Sequence, residues 1–334
     1  MKQGGFPERI WTSRPARIVF LAAALLLLAT MVPPAPLAPP PGPEIARLTI
    51  APLPLDASDP GRRRVGALVF LGGWALASDN PRFGGISAMH VEGGRVIAVN
   101  DAGTLLRFPL PGSGPARVRI DSLPAGPAAH KRDRDSEALA IRGGSAWVAF
   151  ERHNLVRRYR RADWRVEASA APPAMRRWGR NSGAEALVRL PGGRFLALAE
   201  GPDDGGAFSE AILFDGDPAV AGTRSAKLRY RRAPGFRVTD AALLPDGRLL
   251  LLNRRFTWLG GWAALLSIAP APALAAGGTI EARAIAELRA PLTVDNMEAL
   301  SVTVEGGRTI VWIASDDNLI ALQRTLLLKF ALDG

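Results

Sequence analysis

The sequence predicts an all-β protein, a β-propeller of five or six four-stranded blades. One short step recurs: Glu137-Ala138-Leu139 returns as Glu185-Ala186-Leu187 and as Glu298-Ala299-Leu300. Each step leads into a Gly-Gly pair that suits a tight hairpin. Weaker copies begin at Ser87 and Asp240, so five starts fall about 50 residues apart, which is typical of propeller blades.

Each start is followed by short runs that predict the further strands of a blade. These runs are rich in Leu, Ala and β-branched residues, and glycines break them too often for helices. Second strands are predicted at 95–99, 146–150, 194–199, 248–252 and 309–314, third strands at 104–110, 155–160, 211–214, 262–268 and 325–332, and fourth strands at 116–120, 165–168, 226–230 and 280–288.

The last repeat lacks a fourth strand, whereas an unassigned strand at Arg64–Ala77 precedes the first repeat. Pairing of these N-terminal and C-terminal strands would close the ring and remove its exposed edges. Five starts predict five blades, and a sixth would need strands around Ile45–Leu55. Two unrelated β-domains are the alternative architecture.

Residues 1–32 are predicted to be a signal peptide or a retained signal anchor. Arg14 and Arg17 precede an apolar run, Ile18–Val32, which suits a signal core and is short for a membrane-spanning helix of about 20 residues. Residues 33–44 are predicted to be a Pro-rich linker and residues 45–334 the propeller domain. We expect a periplasmic or secreted protein, either free or tethered to the inner membrane by an uncleaved leader.

Composition excludes several classes of function. The chain has no cysteine, so disulfides, zinc-thiolate sites and cysteine nucleophiles are excluded. Its formal net charge is +11, which attracts anionic ligands or membrane surfaces, or simply reflects a solvated, arginine-rich surface. No stretch joins basic residues to a platform of stacking aromatics, so no nucleic-acid partner is expected. We expect a monomer.

Acidic residues recur where the innermost strands are predicted to begin. These strands line the channel of a propeller, so Glu137, Glu185, Asp240 and Glu298 are expected to form a ring of carboxylates. Gathered carboxylates repel one another unless a cation or arginines lie between them, and Ca²⁺ favours several oxygen ligands. Alternatively, each acid only accepts backbone N–H bonds between blades. A second acidic series follows the second strands: Asp101, Glu151, Glu200, Asp316 and Asp317, with Asn253 as its neutral member.

Two arginines stand beside this second series. Arg152 follows Glu151, and Arg254 stands where the other blades carry an acid. Both are expected to face the mouth of the channel and to hold an anion such as phosphate by bidentate hydrogen bonds.

Short motifs in a fixed order carry a resemblance to a known family. They are Phe83–Ser87, Asn100–Gly103, Asp135–Leu139, Phe150–Arg152, Asn181–Leu187, Asp295–Leu300 and Ala314–Asn318. Together they resemble the phytase-like domain family, also described as "esterase-like activity of phytase", over roughly Gly72 to Leu332. The resemblance implies a β-propeller that hydrolyses phosphomonoesters or other esters, with Ca²⁺ held by clustered carboxylates and the phosphate placed between metal and basic residues.

Two departures weaken the transfer of metal ligands to particular positions. Asn253-Arg254 stands where the family has an acid followed by Arg, and Ala102 stands where a more polar residue is usual. The sequence also lacks the G-x-S-x-G elbow of serine hydrolases and any P-loop.

We therefore expect an anionic or phosphorylated small-molecule substrate to bind at an acidic channel mouth with Ca²⁺ as cofactor. The predicted catalytic residues are Glu137, Glu185 and Glu298, the predicted substrate-binding residues are Arg152 and Arg254, and the predicted metal ligands are Asp101, Asp135, Glu137, Asp316 and Asp317. The alternative is a non-catalytic binding propeller of the cell envelope with structural carboxylates.

Overall fold

The computed structural model describes residues 44–124, 134–179, 182–201, 206–271, 275–320 and 322–333. The predicted leader and most of the Pro-rich linker lie outside these residues. Within them, no helix is both long enough and apolar enough to cross a membrane. Nearly all of the regular structure of the described residues is β-strand, with single-turn 3₁₀ helices at Pro173–Met175 and Pro191–Gly193.

The strands form antiparallel blades in chain order, as the repeat predicted. Three strands precede the first repeat: β1 (Glu44–Pro52), β2 (Arg64–Val65) and β3 (Leu68–Ser78). The first blade contains β4 (Ile86–Glu92), β5 (Arg95–Asn100), β6 (Thr104–Pro109) and β7 (Arg117–Ser122), and the second contains β8 (Ser136–Arg142), β9 (Ser145–Phe150), β10 (Leu155–Arg160) and β11 (Arg165–Ala170). The third contains β12 (Ala184–Arg189), β13 (Phe195–Ala199), β14 (Phe208–Phe214) and β15 (Ser225–Arg231), and the fourth contains β16 (Arg237–Leu243), β17 (Leu249–Thr257), β18 (Gly261–Ala269) and β20 (Arg283–Arg289). The short β19 (Thr279–Ile280) pairs parallel with β15 at the edge of the third blade. The last blade contains β21 (Met297–Glu305), β22 (Arg308–Ser315) and β23 (Thr325–Leu332).

The ring closes by the predicted pairing of its two ends. Strand β3 pairs antiparallel with β23, from Leu68 opposite Leu332 to Leu76 opposite Thr325, and so supplies the fourth strand of the last blade. Phe70 and Phe330 pack edge to face across this closure, with ring centroids 5.6 Å apart. The segment around Ile45–Leu55 does not start a further blade: β1 pairs with β3 on one side and β7 on the other. The described strands thus form one ring and not two unrelated β-domains.

The apolar core lies between the blades. Successive side chains of a strand point to opposite faces of its sheet. Both faces of an inner strand contact a neighbouring blade, so these strands consist almost entirely of apolar residues. Trp147 of the second blade packs on Phe195 of the third, with ring centroids 5.0 Å apart. Burying a large apolar side chain of this kind stabilises the fold by roughly 1.5–3 kcal/mol. This packing fixes the inner strands and therefore the residues at their ends.

Candidate functional site

A β-bulge occurs at the start of the innermost strand of every blade. The register with the second strand shifts by one residue there, and the extra residue is Ser87, Glu137, Glu185, Thr239 or Glu298. A bulge bends the strand and re-aims the side chain that it carries, and bulges are common beside active sites. Three glutamates thus share one structural position at the end of the ring where the inner strands begin. We call this end the mouth.

Asp240 does not occupy the position that was predicted for it. The bulge in β16 lies between Val238 and Asp240, so Thr239 is the equivalent of the three glutamates. A slip of one residue turns a side chain to the other face of its strand. Asp240 accepts N–H bonds from Leu300 of the next blade at 2.7 Å and from Ala241 at 2.7 Å, and it joins two blades.

A second ring of equivalent residues follows the second strand of each blade. The residues of these strands that pair with the residue just before each bulge are Asn100, Phe150, Ala199, Asn253 and Ser315. The residues after them are Asp101, Glu151, Glu200, Arg254 and Asp316. Arg254 is therefore the fourth blade's member of this ring. The expectation for Asn253 is wrong by one position, because β17 continues to Thr257 and buries Asn253, whose side chain accepts a hydrogen bond from Tyr230.

Arg254 connects acids from both rings. Its guanidinium lies 2.8 Å from Glu298 Oε1 and 3.1 Å from Glu200 Oε1, and it donates to Asn296 Oδ1 at 2.7 Å. Asn296 in turn donates to Glu298 Oε1 at 2.9 Å. Arg237 adds a second cation, 3.2 Å from Glu200 Oε2. Burial lowers the pKa of Arg254, but Glu298, Glu185 and Glu200 raise it further, and the net shift is upward. Arg254 therefore stays charged and neutralises this side of the mouth.

Three carboxylates of the second blade form the tightest acidic group among the described residues. One ligand oxygen each from Asp135, Glu137 and Glu151 lie within 4.8 Å of one another. Gly183 of the third blade donates its N–H to Glu151 Oε1 at 3.0 Å. Any Cβ at position 183 would lie 2.6 Å from the Glu151 side chain, so glycine is needed for this close approach.

Five carboxyl groups of the two rings hold protons more tightly than usual. Burial, then Glu185, Asp135, Glu151 and Glu298, raise the pKa of Glu137 well above its ordinary value, and burial with Glu200, Glu298 and Glu151 does the same for Glu185. Burial raises the pKa of Glu151 to about 7, although the hydrogen bond from the Gly183 N–H lowers it. Burial likewise raises the pKa of Glu298 to about 7, although the charge of Arg254 lowers it. Burial and Glu298 raise the pKa of Asp316 to about 8. Near neutral pH these five groups therefore retain protons more readily than exposed carboxyl groups do.

The trio of Asp135, Glu137 and Glu151 fits a calcium ion. Two oxygens that each lie about 2.3–2.6 Å from one Ca²⁺ are at most about 5 Å apart, and the observed separations satisfy this limit. Carboxylate oxygens are also the donors that Ca²⁺ prefers. The chemistry and spacing of the trio therefore suit the predicted cofactor.

The other predicted metal ligands lie elsewhere around the mouth. Asp316 accepts hydrogen bonds from the Asn318 N–H at 2.6 Å and from Asn296 at 3.4 Å, and its pKa responds to Asp101. Asp317 accepts hydrogen bonds from the Gly85 N–H at 2.8 Å, the Leu319 N–H at 3.0 Å and the Thr325 hydroxyl at 2.6 Å. These bonds occupy both oxygens of Asp317 and tie the last blade to the first.

The two predicted anion-binding arginines differ in their surroundings. Arg152 is half-buried beside the trio, where its charge lowers the pKa of Glu151. Arg254 is already engaged by two glutamates.

Sequence reasoning assigned no site role to Glu151, Glu200, Arg237 or Asn296. For Glu151 and Glu200 the signal was present, because they repeat at the end of the second strand.

A search of the curated proteins found no match. Among solved structures the chain is similar to the glutaminyl cyclase of Myxococcus xanthus, with 15% identity, a TM-score of 0.45, and coverage of 80% of this chain and 96% of that one. It is also similar to the WD40 repeats of RRP9, with 9% identity, a TM-score of 0.41, and coverage of 80% and 99%.

The model of one protein family matches residues 81–319, which contain both rings of the mouth. That span is well over half of the chain. The chain therefore belongs to the phytase-like family, which is described as "Esterase-like activity of phytase".

Proposed function

We propose that the protein is an exported, monomeric, Ca²⁺-dependent hydrolase that cleaves phosphomonoesters or related esters of small anionic molecules at the mouth. The observation that carries this proposal is the meeting of three carboxylates within 4.8 Å beside a ring of further acids with raised pKa values. Family membership supports the ester-hydrolysing class of activity.

Asp135, Glu137 and Glu151 would hold the cation. When bound, Ca²⁺ supplies a Lewis acid that neutralises phosphoryl oxygens and lowers the pKa of water. Arg152 lies beside this trio and would orient the anionic group of the substrate.

Glu185 and Glu298 would manage protons during hydrolysis. The oxygen of a water molecule bonds to phosphorus while the bond from phosphorus to the alcohol oxygen breaks. The water loses a proton to a carboxylate, and the departing alcohol oxygen gains one from a carboxylic acid. A pKa of about 7 suits Glu298 to either task near neutral pH, and the raised pKa of Glu185 suits it to donate.

Turnover by the purified protein tests the proposal. Phytate and p-nitrophenyl phosphate are offered with Ca²⁺ or with a chelator, and phosphate release is measured. We expect release only with Ca²⁺ and a loss of about 10²-fold or more in kcat for Glu298→Gln. Glu305→Gln is the matched control, since Glu305 is exposed at the opposite end of β21. Absence of turnover under both conditions would overturn the enzymatic proposal.

A non-catalytic binding propeller is the second candidate. It is favoured by the engagement of Arg254 with Glu298 and Glu200, which has the form of a structural ion-pair network. Stabilisation by Ca²⁺ without turnover of any ester, together with unchanged ligand binding in Glu298→Gln, would support this candidate.

A further inference from the structure

The hairpin between β17 and β18 extends past the other strands of its blade at the mouth. Strand β16 begins opposite Arg254 and β20 ends opposite Ala263, whereas β17 and β18 stay paired to Thr257 and Gly261. Among the described strands, Phe256 and Thr257 therefore pair only with Trp262 and Gly261, and this part of the hairpin is a two-stranded projection.

The tip of this projection is apolar and exposed. Trp258 and Leu259 expose 94% and 104% of their reference surface, and Phe256 exposes 49%. Phe256 packs against Trp258 and Trp262, with ring centroids 5.7 Å and 4.8 Å away. Scattered exposed apolar residues are ordinary, but a preformed aromatic cluster with a bare tip marks an interaction surface.

The loop that follows β22 continues this surface into the last blade. Leu319, Ile320 and Leu322 expose 39%, 49% and 93% of their reference surface. The side-chain amide of Gln323 lies 3.3 Å from the indole nitrogen of Trp262, so the loop and the hairpin are neighbours. We call the exposed residues Phe256, Trp258, Leu259, Leu319, Ile320 and Leu322 the apolar rim.

Basic groups accompany the apolar rim at the mouth. Arg289 is exposed opposite Ala263, and Arg324 follows the loop with 52% of its side chain exposed. Aromatic and leucine side chains flanked by arginine are the combination that favours the interface of an anionic bilayer. The formal net charge of +11 also favours attraction to an anionic bilayer.

The chain also enters the ring at the mouth. Glu44 pairs with Ile120 in β7, which runs towards the mouth, as the bond from the Leu123 N–H to the Gly103 carbonyl shows. The sequence before Glu44 carries the apolar run Ile18–Val32 and the Pro-rich linker. The first described residue, Glu44, therefore lies at the same end of the ring as the apolar rim.

We propose that the apolar rim, on the side of the mouth formed by the fourth and last blades, docks on an anionic lipid bilayer, with Trp258 and Leu259 entering the headgroup region. This inference is independent of whether the mouth hydrolyses esters. A second protein or a second copy of this chain is the competing occupant, and the experiment distinguishes both from lipid.

The absence of native cysteine allows a single fluorophore to be placed on the full-length chain. Leu259→Cys puts an environment-sensitive dye at the tip, and Val304→Cys puts it at an exposed apolar residue, 57% exposed, at the opposite end of the ring. Both proteins are reconstituted in vesicles of phosphatidylglycerol and phosphatidylcholine, or of phosphatidylcholine alone, with or without spin-labelled lipid. The leader is the same in both, so a difference reports on the two faces of the ring.

We expect the dye at position 259 to shift to shorter wavelength and to be quenched by spin-labelled lipid in the anionic vesicles, and less so in neutral ones. The dye at position 304 should keep its emission in water. Equal behaviour of the two dyes would overturn the proposal. A blue shift at position 259 that grows with protein concentration in detergent, without vesicles, would also overturn it, because it would assign the rim to self-association. Phosphate release from a soluble ester, measured on the same samples, separates this outcome from any failure of the proposed hydrolysis.

Discussion

The two sides of the mouth handle buried carboxylates in different ways. Around Arg254, the acids Glu200 and Glu298 lie at ion-pair distance from a guanidinium that Asn296 also contacts. On the second blade, Asp135, Glu137 and Glu151 lie close together, and the net pKa of Glu151 is raised to about 7 despite the charge of Arg152. Arg254 thus lies at ion-pair distance from two glutamates on one side, whereas three carboxylates approach one another within 4.8 Å on the other.

This difference separates stability from ligand binding. Removing the counter-charge of a protein-neutralised group leaves buried ions and destabilises the fold. Carboxylates that approach one another this closely instead favour the uptake of a divalent cation. The Arg254 side should therefore dominate stability, and the Asp135 side should dominate the response to metal.

The largest expected effect is that of Arg254→Met. This change leaves Glu200 and Glu298 buried without their central cation, and it should lower the free energy of unfolding by roughly 3–5 kcal/mol. Urea denaturation measures the change. Arg160→Met is the matched control, because the Arg160–Asp163 pair is about half exposed and solvent screens it, so its loss should change stability little. Equal stability of the two variants would mean that protons, and not Arg254, neutralise the glutamates.

The pH dependence of stability tests the same side of the mouth. The pKa of Glu298 rises from its ordinary value of 4.5 to about 7, chiefly through burial, so the folded protein binds this proton more tightly than the unfolded chain. Its contribution to stability is complete below pH 4.5 and is lost as the pH rises to about 7. In the presence of a chelator, we expect the wild-type protein to lose more stability across this interval than Glu298→Gln. Parallel curves for the two proteins would contradict the assignment.

The sequence predicted the blades because their signals are local. Paired glycines mark the hairpins, and the apolar runs between them set the strands, so ring closure by Arg64–Ala77 followed from an unpaired edge. The bulge in β16 could not be predicted, because a one-residue slip leaves composition and spacing almost unchanged, and Asp240 was therefore assigned to the wrong face. The pairing of Arg254 with Glu200 joins residues 54 positions apart, and no local pattern encodes such a contact.

The response to calcium tests the other side of the mouth. A ligand present at about 100 times its Kd stabilises the folded state by about 2.7 kcal/mol. We expect Ca²⁺ to raise the Tm of the wild-type protein, measured against the same protein in chelator, and Glu137→Gln to abolish the rise. Glu305→Gln, at the far end of the ring, should respond as the wild type does. Retention of the full response in Glu137→Gln would place the calcium outside the trio.

The smallest effect is expected for Asp240→Asn, which removes a carboxylate near the mouth that belongs to neither side. Both oxygens of Asp240 accept backbone N–H bonds, so an asparagine must turn its amide nitrogen towards one of these donors. The loss of one such bond should lower the free energy of unfolding by about 1 kcal/mol, which urea denaturation can measure. The Tm rise with Ca²⁺ should stay at the wild-type value, because Thr239 and not Asp240 occupies the ring position. A reduced calcium response in this variant would mean that Asp240 takes part in binding the metal. It would contradict the assignment of calcium binding to the Asp135 side of the mouth alone.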